Sequence, residues 1–98
     1  MLNSLQKSPR QLEALARVRE WTRARFGLPE DAAILVSEVA CGLPGCPPLE
    51  TVVAFWTGAV RHQFKIFRSV QEVVSDDLPY AWLRDALAVP EGFEYDCC

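Results

Sequence analysis

Four cysteines are the residues of this chain whose type and spacing point to chemistry. Cys41 and Cys46 enclose Gly-Leu-Pro-Gly, and Cys97 and Cys98 are adjacent in an acidic segment. Thiolates are the ligands that zinc, copper(I) and iron–sulfur clusters prefer, and a tetrahedral site needs several of them. If the acidic segment folds back over the loop between Cys41 and Cys46, the sulfurs converge. The sequence therefore predicts a thiophilic metal or cluster site.

The expected ligand set is mixed. Zinc ribbons usually repeat an internal cysteine pair, whereas here the second pair is vicinal. Because the side chains of adjacent residues diverge, we expect Cys97 or Cys98, but not both, to join Cys41 and Cys46. His62 or water then completes the set.

Two other interpretations of the cysteines remain open. Cys41 and Cys46 could form a disulfide, or a thiol switch could involve Cys97 and Cys98, although no device that lowers a thiol pKa is evident in the sequence. Alternatively, Cys41 is a small buried apolar residue at a strand end and the other cysteines have no role.

No catalytic residue is predicted. His62 is the one histidine of the chain, and an imidazole suits general-base chemistry. In the alternating pattern it falls on the same face as Phe64 and Ile66, which is typical of a core or sheet-margin histidine. Glu38 and Glu50 flank the cysteine loop and could orient a ligand, but solvated charges at strand ends are the simpler expectation. No serine motif or Gly-rich phosphate loop accompanies them, so the residues that hydrolase or kinase chemistry requires are not evident in the sequence.

Composition narrows the classes of function. The chain has 98 residues, half of them apolar, which predicts a single domain over residues 1–98 with flexible ends at 1–8 and 91–98. A net charge of −3 argues against a nucleic-acid partner. No apolar run approaches the ~20 residues that span a bilayer, and residues 1–10 do not resemble a secretion signal. We therefore expect a soluble, cytoplasmic protein without a membrane partner; its oligomeric state is not predicted.

An amphipathic helix is predicted over Pro9–Phe26. Ser8 and Gln11 have the spacing of a capping box, and a proline occupies the first helical position, where its missing N–H costs nothing. Gly27 and Pro29 end the helix. The predicted apolar side consists of Leu12, Leu15, Val18, Thr22 and Phe26.

Three β-like runs follow at residues 32–41, 51–57 and 60–67. Gly58 between the last two predicts a tight hairpin. The middle run is apolar on both faces, which is typical of a central strand, and the third alternates between apolar and polar residues. These runs predict an antiparallel sheet that is covered on both sides.

The remaining segment is predicted to be helical. Ser69 and Glu72 suggest a capping box for a short helical turn through Val74. A last helix with an apolar stripe is outlined by Leu78, Ala81, Trp82, Asp85, Ala86 and Val89. The predicted fold class is α+β: a three-stranded antiparallel sheet with an N-terminal helix and a C-terminal helix packed on it, in α-β-β-β-α order.

Two functions follow as hypotheses. The first is a small cytoplasmic accessory protein that holds zinc, copper or an iron–sulfur cluster through its cysteines. The second is a metal-free interaction module that presents its sheet face or its arginine-bearing helix to a protein partner. The three tryptophans, Trp21, Trp56 and Trp82, are expected to be core anchors first and interface residues second.

Overall fold

The computed structural model describes residues 8–40, 44–45 and 48–89. A helix, α1 (Pro9–Phe26), precedes strands β1 (Ile34–Ala40), β2 (Leu49–Thr57) and β3 (Val60–Ile66). Three 3₁₀ turns follow at Val70–Glu72, Ser75–Asp77 and Ala81–Leu87. The predicted antiparallel sheet and N-terminal helix are confirmed. Apart from residue 8, the ends that were expected to be flexible lie outside the described residues.

Helix α1 begins and ends where the sequence predicts. The Ser8 hydroxyl accepts a hydrogen bond from the Gln11 amide at 3.1 Å, and Gly27 adopts the left-handed φ of 63° that ends the helix. Leu12, expected on the apolar side, is 53% exposed. It lies about 120° around the helix from Val18, which is fully buried. The residues that α1 buries are Ala14, Leu15, Val18, Thr22 and Phe26.

Strand β2 is the central strand of the sheet, as predicted. It pairs with β1 from Ile34 opposite Phe55 to Ala40 opposite Leu49. On its other side it pairs with β3, and the tight turn between them has Gly58 at a φ of 62°. Glycine tolerates this conformation because it has no Cβ.

The core lies between α1 and one face of the sheet. The Phe26 ring stacks on Phe55 at 4.9 Å between centroids, and Phe55 stacks in turn on His62 at 4.8 Å. Val70 and Val73, from the segment after β3, pack into the same cluster. The apolar side of α1 is therefore covered by both the sheet and the 3₁₀ segment.

The C-terminal helix was predicted wrongly, because this segment forms 3₁₀ turns. In an α-helix the Arg84 carbonyl would accept a hydrogen bond from the Ala88 N–H; here it accepts one from His62, and the Ala88 N–H bonds to Asp85. The helical turn expected through Val74 is likewise a 3₁₀ turn. The predicted apolar stripe is not buried as a unit.

Two side chains tie the segment after β3 to the first half of the chain. Glu38 of β1 accepts hydrogen bonds from the Gln11 side chain at 3.0 Å and the Val70 N–H at 2.9 Å. Arg25 of α1 donates to three backbone carbonyls, which are those of Ser75, Leu78 and Pro79. Charge-assisted bonds of this kind are among the stronger ones in proteins.

Residues 88–89 run alongside β3. Ala88 forms an antiparallel bridge with His62, and the Val89 N–H donates to the Arg61 carbonyl at 2.8 Å. The outer edge of β3 is therefore partly paired. Within the described ranges, no helix is long and apolar enough to cross a membrane.

Candidate functional site

The face of the sheet that points away from α1 forms a shallow hollow, which we call the open face. Side chains alternate between the two faces of a strand, so this face receives the residues between those of the core. Leu35 and Ser37 come from β1, Val52 and Trp56 from β2, and Arg61 from β3. Since α1 and the 3₁₀ segment pack on the opposite face, the expected cover on both sides is not found among residues 8–40, 44–45 and 48–89.

The open face combines apolar surface with the cation of Arg61. Leu35 is 57% exposed, and Val52 and Trp56 are partly accessible. Arg61 lies opposite Trp56 in the β2–β3 register, and none of the described acidic side chains forms an ion pair with it. Arginine and tryptophan are enriched at binding hot spots. The hollow therefore has the composition of a protein-binding surface.

Trp56 also borders a second hollow at the hairpin end of the sheet. This hollow is lined by the loop that joins α1 to β1, with Asp31 on one side, and by Gly58 and Arg84 on the other. Trp56 thus connects two accessible depressions. The sequence feature that indicates this surface is that both faces of β2 are apolar. One long helix can cover only one of these two faces.

Glu50 is a buried carboxylate at the other end of the open face. Its side chain is 0% exposed, and neither of its oxygens has a hydrogen-bond partner in the described part of the chain. The Lys65 ammonium lies 3.7 Å from Oε2, which is an ion pair. Glu50 and the hydrogen-bonded Glu38 were both expected to be solvated strand-end charges, and that expectation is wrong. Buried carboxylates need compensation, so Glu50 marks a polar site.

His62 is a buried core histidine with both ring nitrogens hydrogen-bonded. Nε2 lies 2.8 Å from the Thr57 hydroxyl, and Nδ1 lies 3.0 Å from the Arg84 carbonyl. Metal binding through His62 would break one of these bonds. The core interpretation of His62 is confirmed, and its role as a metal ligand stays a prediction.

The cysteines at 41, 46, 97 and 98 lie outside the described residues, so their predicted role stays a prediction. Among the residues that the structure does describe, no three His, Cys, Asp or Glu side chains come together as a metal site. The described residues next to the cysteines limit how the two cysteine pairs can come together. Ala40 and Leu49, which flank the first pair, are register partners.

Val89, which precedes the second pair, lies at the other end of the sheet. The Val89 N–H donates a hydrogen bond to the Arg61 carbonyl, and Arg61 lies opposite Trp56 in the β2–β3 register. From Trp56 to Leu49, strand β2 covers about 23 Å. Cys97 is eight residues beyond Val89, a reach of at most about 28 Å. Residues 88–89 also run away from the Leu49 end. A site that joins all the cysteines therefore requires the chain to reverse its direction after Val89.

The three tryptophans occupy three different environments. Trp21 packs partly buried against the core, with the Arg17 guanidinium 5.5 Å from its ring centroid. Trp56 lies on the open face. Trp82 is 78% exposed and stacks on Tyr80 with ring centroids 6.1 Å apart. The expectation that Trp82 anchors the core is wrong.

Comparison with known proteins adds no assignment: no family model, curated protein or solved structure matches this chain.

Proposed function

We propose that the protein is a small protein-binding module whose open face binds a partner segment that presents apolar side chains and a carboxylate. The observation that supports this is the accessible apolar hollow around Leu35, Val52 and Trp56, beside Arg61, which forms no ion pair with a described acidic side chain. Burial of exposed apolar area favours association, and the arginine favours a partner of opposite charge. The function needs no catalytic group, and cytoplasmic location is part of the proposal.

The chemistry of the face limits the partner. Trp56 offers a large flat contact next to the hollow, while Arg61 can form a bidentate pair with a carboxylate. A basic segment would bring like charges together at Arg61. We therefore expect a partner segment in which an acidic residue lies near an aliphatic or aromatic one.

A peptide-display library selected against the immobilised full chain tests this proposal. Selected peptides should contain an acidic residue beside an apolar one, and fluorescence anisotropy should show at least tenfold weaker binding to the Val52→Lys and Arg61→Glu variants. Trp82→Ala is the matched control, because it removes an exposed aromatic ring elsewhere. Selection of basic peptides, or loss of binding in Trp82→Ala but not in Val52→Lys, would reject the open face as the site.

A second candidate function is binding of a thiophilic metal or cluster in the connection between β1 and β2. The supporting observation is Glu50, whose buried carboxylate accepts no hydrogen bond from described residues and follows Cys46 by four positions. Cys41 directly follows the last residue of β1. Two thiolates and a carboxylate are a donor set that suits zinc, while thiolates alone suit copper(I) or an iron–sulfur cluster.

Elemental analysis of protein purified without chelator, together with thiol counting, tests the second candidate. We expect zinc, iron or copper near one equivalent per chain, lost in the double Cys41→Ser and Cys46→Ser variant and reduced in Glu50→Gln. The double Cys97→Ser and Cys98→Ser variant is the control for the second pair and should keep the metal. Absence of all three elements from the wild-type protein, with four reactive thiols, would exclude this function.

A further inference from the structure

The two edge strands of the sheet differ in how far their outer backbone groups are hydrogen-bonded. The outer edge of β3 is partly paired by residues 88–89. The outer edge of β1 (Ile34–Ala40) forms no backbone hydrogen bond with any of the described segments. Natural proteins usually protect such an edge with lysine, proline or a bulge. β1 has none of these, and its one charge, Glu38, is bound to Gln11 and Val70.

The free backbone groups of β1 can be assigned by alternation. The Ala33 carbonyl accepts a hydrogen bond from the Trp56 N–H, so residues 33, 35, 37 and 39 direct their backbone groups toward β2. The N–H and C=O groups of the even-numbered residues therefore point outward. Within the described part of the chain these groups have no backbone partner, and an extended strand is the protein partner whose spacing matches them.

We infer that β1 pairs with β1 of a second copy of this chain, in an antiparallel arrangement with the two-fold axis at Ser37. Outward-facing residues must oppose each other, so the axis passes through a residue and not between two, and the three residues nearest the middle of β1 are Val36, Ser37 and Glu38. An axis at Glu38 would place the two glutamates opposite each other, and an axis at Val36 would leave Val39 and Ala40 without partners. The axis at Ser37 pairs all seven residues of the strand.

This register also places two apolar side chains opposite each other on the open face. Leu35, which is 57% exposed, lies opposite Val39 of the second copy on the open face. Val36 lies opposite Glu38, whose carboxylate is already hydrogen-bonded within its own chain. The dimer forms one six-stranded sheet and joins two open faces. Two-fold dimers are the commonest oligomers, and each contact here occurs twice.

Cysteine cross-linking tests this register in the full chain with its four native cysteines replaced by serine. In this background Ser37→Cys places two thiols opposite each other across the axis, and mild oxidation should yield mainly a disulfide dimer. Leu35→Cys is the control: its two copies lie about 13 Å apart, so little dimer should form. Equal cross-linking of both variants, or none in Ser37→Cys, overturns the register.

Sedimentation velocity of the unmodified protein tests the dimer independently of the cysteines. We expect a dimer that dissociates on dilution, and a dissociation constant at least tenfold higher in Leu35→Lys, which places a charge on the edge strand. Val52→Lys lies on the central strand and should still dimerise, although it should lose the peptides proposed above. A monomer at every concentration up to about 1 mM overturns the inference without bearing on the peptide-binding proposal.

Discussion

The imidazole of His62 and the backbone carbonyl of Arg84 connect strand β3 to the last turn of the described chain. Nδ1 lies 3.0 Å from the carbonyl oxygen, which can only accept, so Nδ1 donates this hydrogen bond, and Nε2 lies 2.8 Å from the Thr57 hydroxyl. The ring also stacks on Phe55. One side chain therefore fixes the hairpin, the core and the turn.

Replacement of His62 by phenylalanine should separate stacking from hydrogen bonding. The ring contact with Phe55 is kept, but the Thr57 hydroxyl and the Arg84 carbonyl lose their partner, so we expect unfolding free energy to fall by about 1–3 kcal/mol. Urea denaturation measures this. Amide exchange at residues 88–89 should accelerate as well. Gln63→Ala, on the opposite face of β3, is the control and should change stability by less than about 0.5 kcal/mol.

Replacement of Arg25 by methionine should loosen the 3₁₀ segment. Its guanidinium donates to the carbonyls of Ser75, Leu78 and Pro79, and methionine keeps the aliphatic contact but none of these bonds. We expect a loss of about 2 kcal/mol in thermal or urea denaturation, with partial rescue by Arg25→Lys, which retains charge but not the planar fork. Arg10→Met is the control on the solvent side of α1. Equal stability of both methionine variants would show that the carbonyl contacts contribute nothing.

The hydrogen bond between Glu38 and Gln11 can be tested by swapping the two residue types. Glu38→Gln replaces one acceptor by a donor, so either the Gln11 amide or the Val70 N–H loses its partner, and we expect about 1–3 kcal/mol of destabilisation. Adding Gln11→Glu should recover most of this loss, because the new amide at position 38 then donates to a carboxylate at position 11. A double variant no more stable than Glu38→Gln alone would contradict the geometry. Urea denaturation of the four proteins in the cycle provides the measurement.

The buried pair of Glu50 and Lys65 should show strong coupling. Lys65→Met leaves the Glu50 carboxylate buried without its cation, and we expect a loss of about 3 kcal/mol in urea denaturation. Adding Glu50→Leu removes the stranded charge, and the double variant should regain most of that stability. If Lys65→Met alone is neutral, the carboxylate is compensated by another group, such as the metal considered above.

The local sequence signals determined α1 and the hairpin almost completely. Ser8, Gly27 and Gly58 act through their own backbone and nearest neighbours, so their effect can be predicted without knowing the rest of the chain. The alternation of β3 and the apolar character of β2 likewise gave the order of the strands. Each of these features depends on residues that are close in sequence.

The 3₁₀ segment and the polar contacts could not be predicted because they depend on distant partners. Ala81–Leu87 has a helical pattern, but the hydrogen bond from His62 to Arg84 and the pairing of Val89 with Arg61 decide its backbone. Nothing near Glu50 in the sequence indicates that its carboxylate is buried. The cysteine hypothesis has the same limitation, since it requires convergence of residues more than fifty positions apart.

The contacts of Arg25 with residues 75–79 also have a consequence for synthesis of the chain. The arginine leaves the ribosome about fifty residues before the carbonyls that it binds. At ordinary elongation rates of about 5–20 residues per second, α1 waits roughly 3–10 s for them. Strands β1 to β3 (residues 34–66) are synthesised within that interval, so the carbonyls at residues 75–79 are the last of these partners that α1 meets.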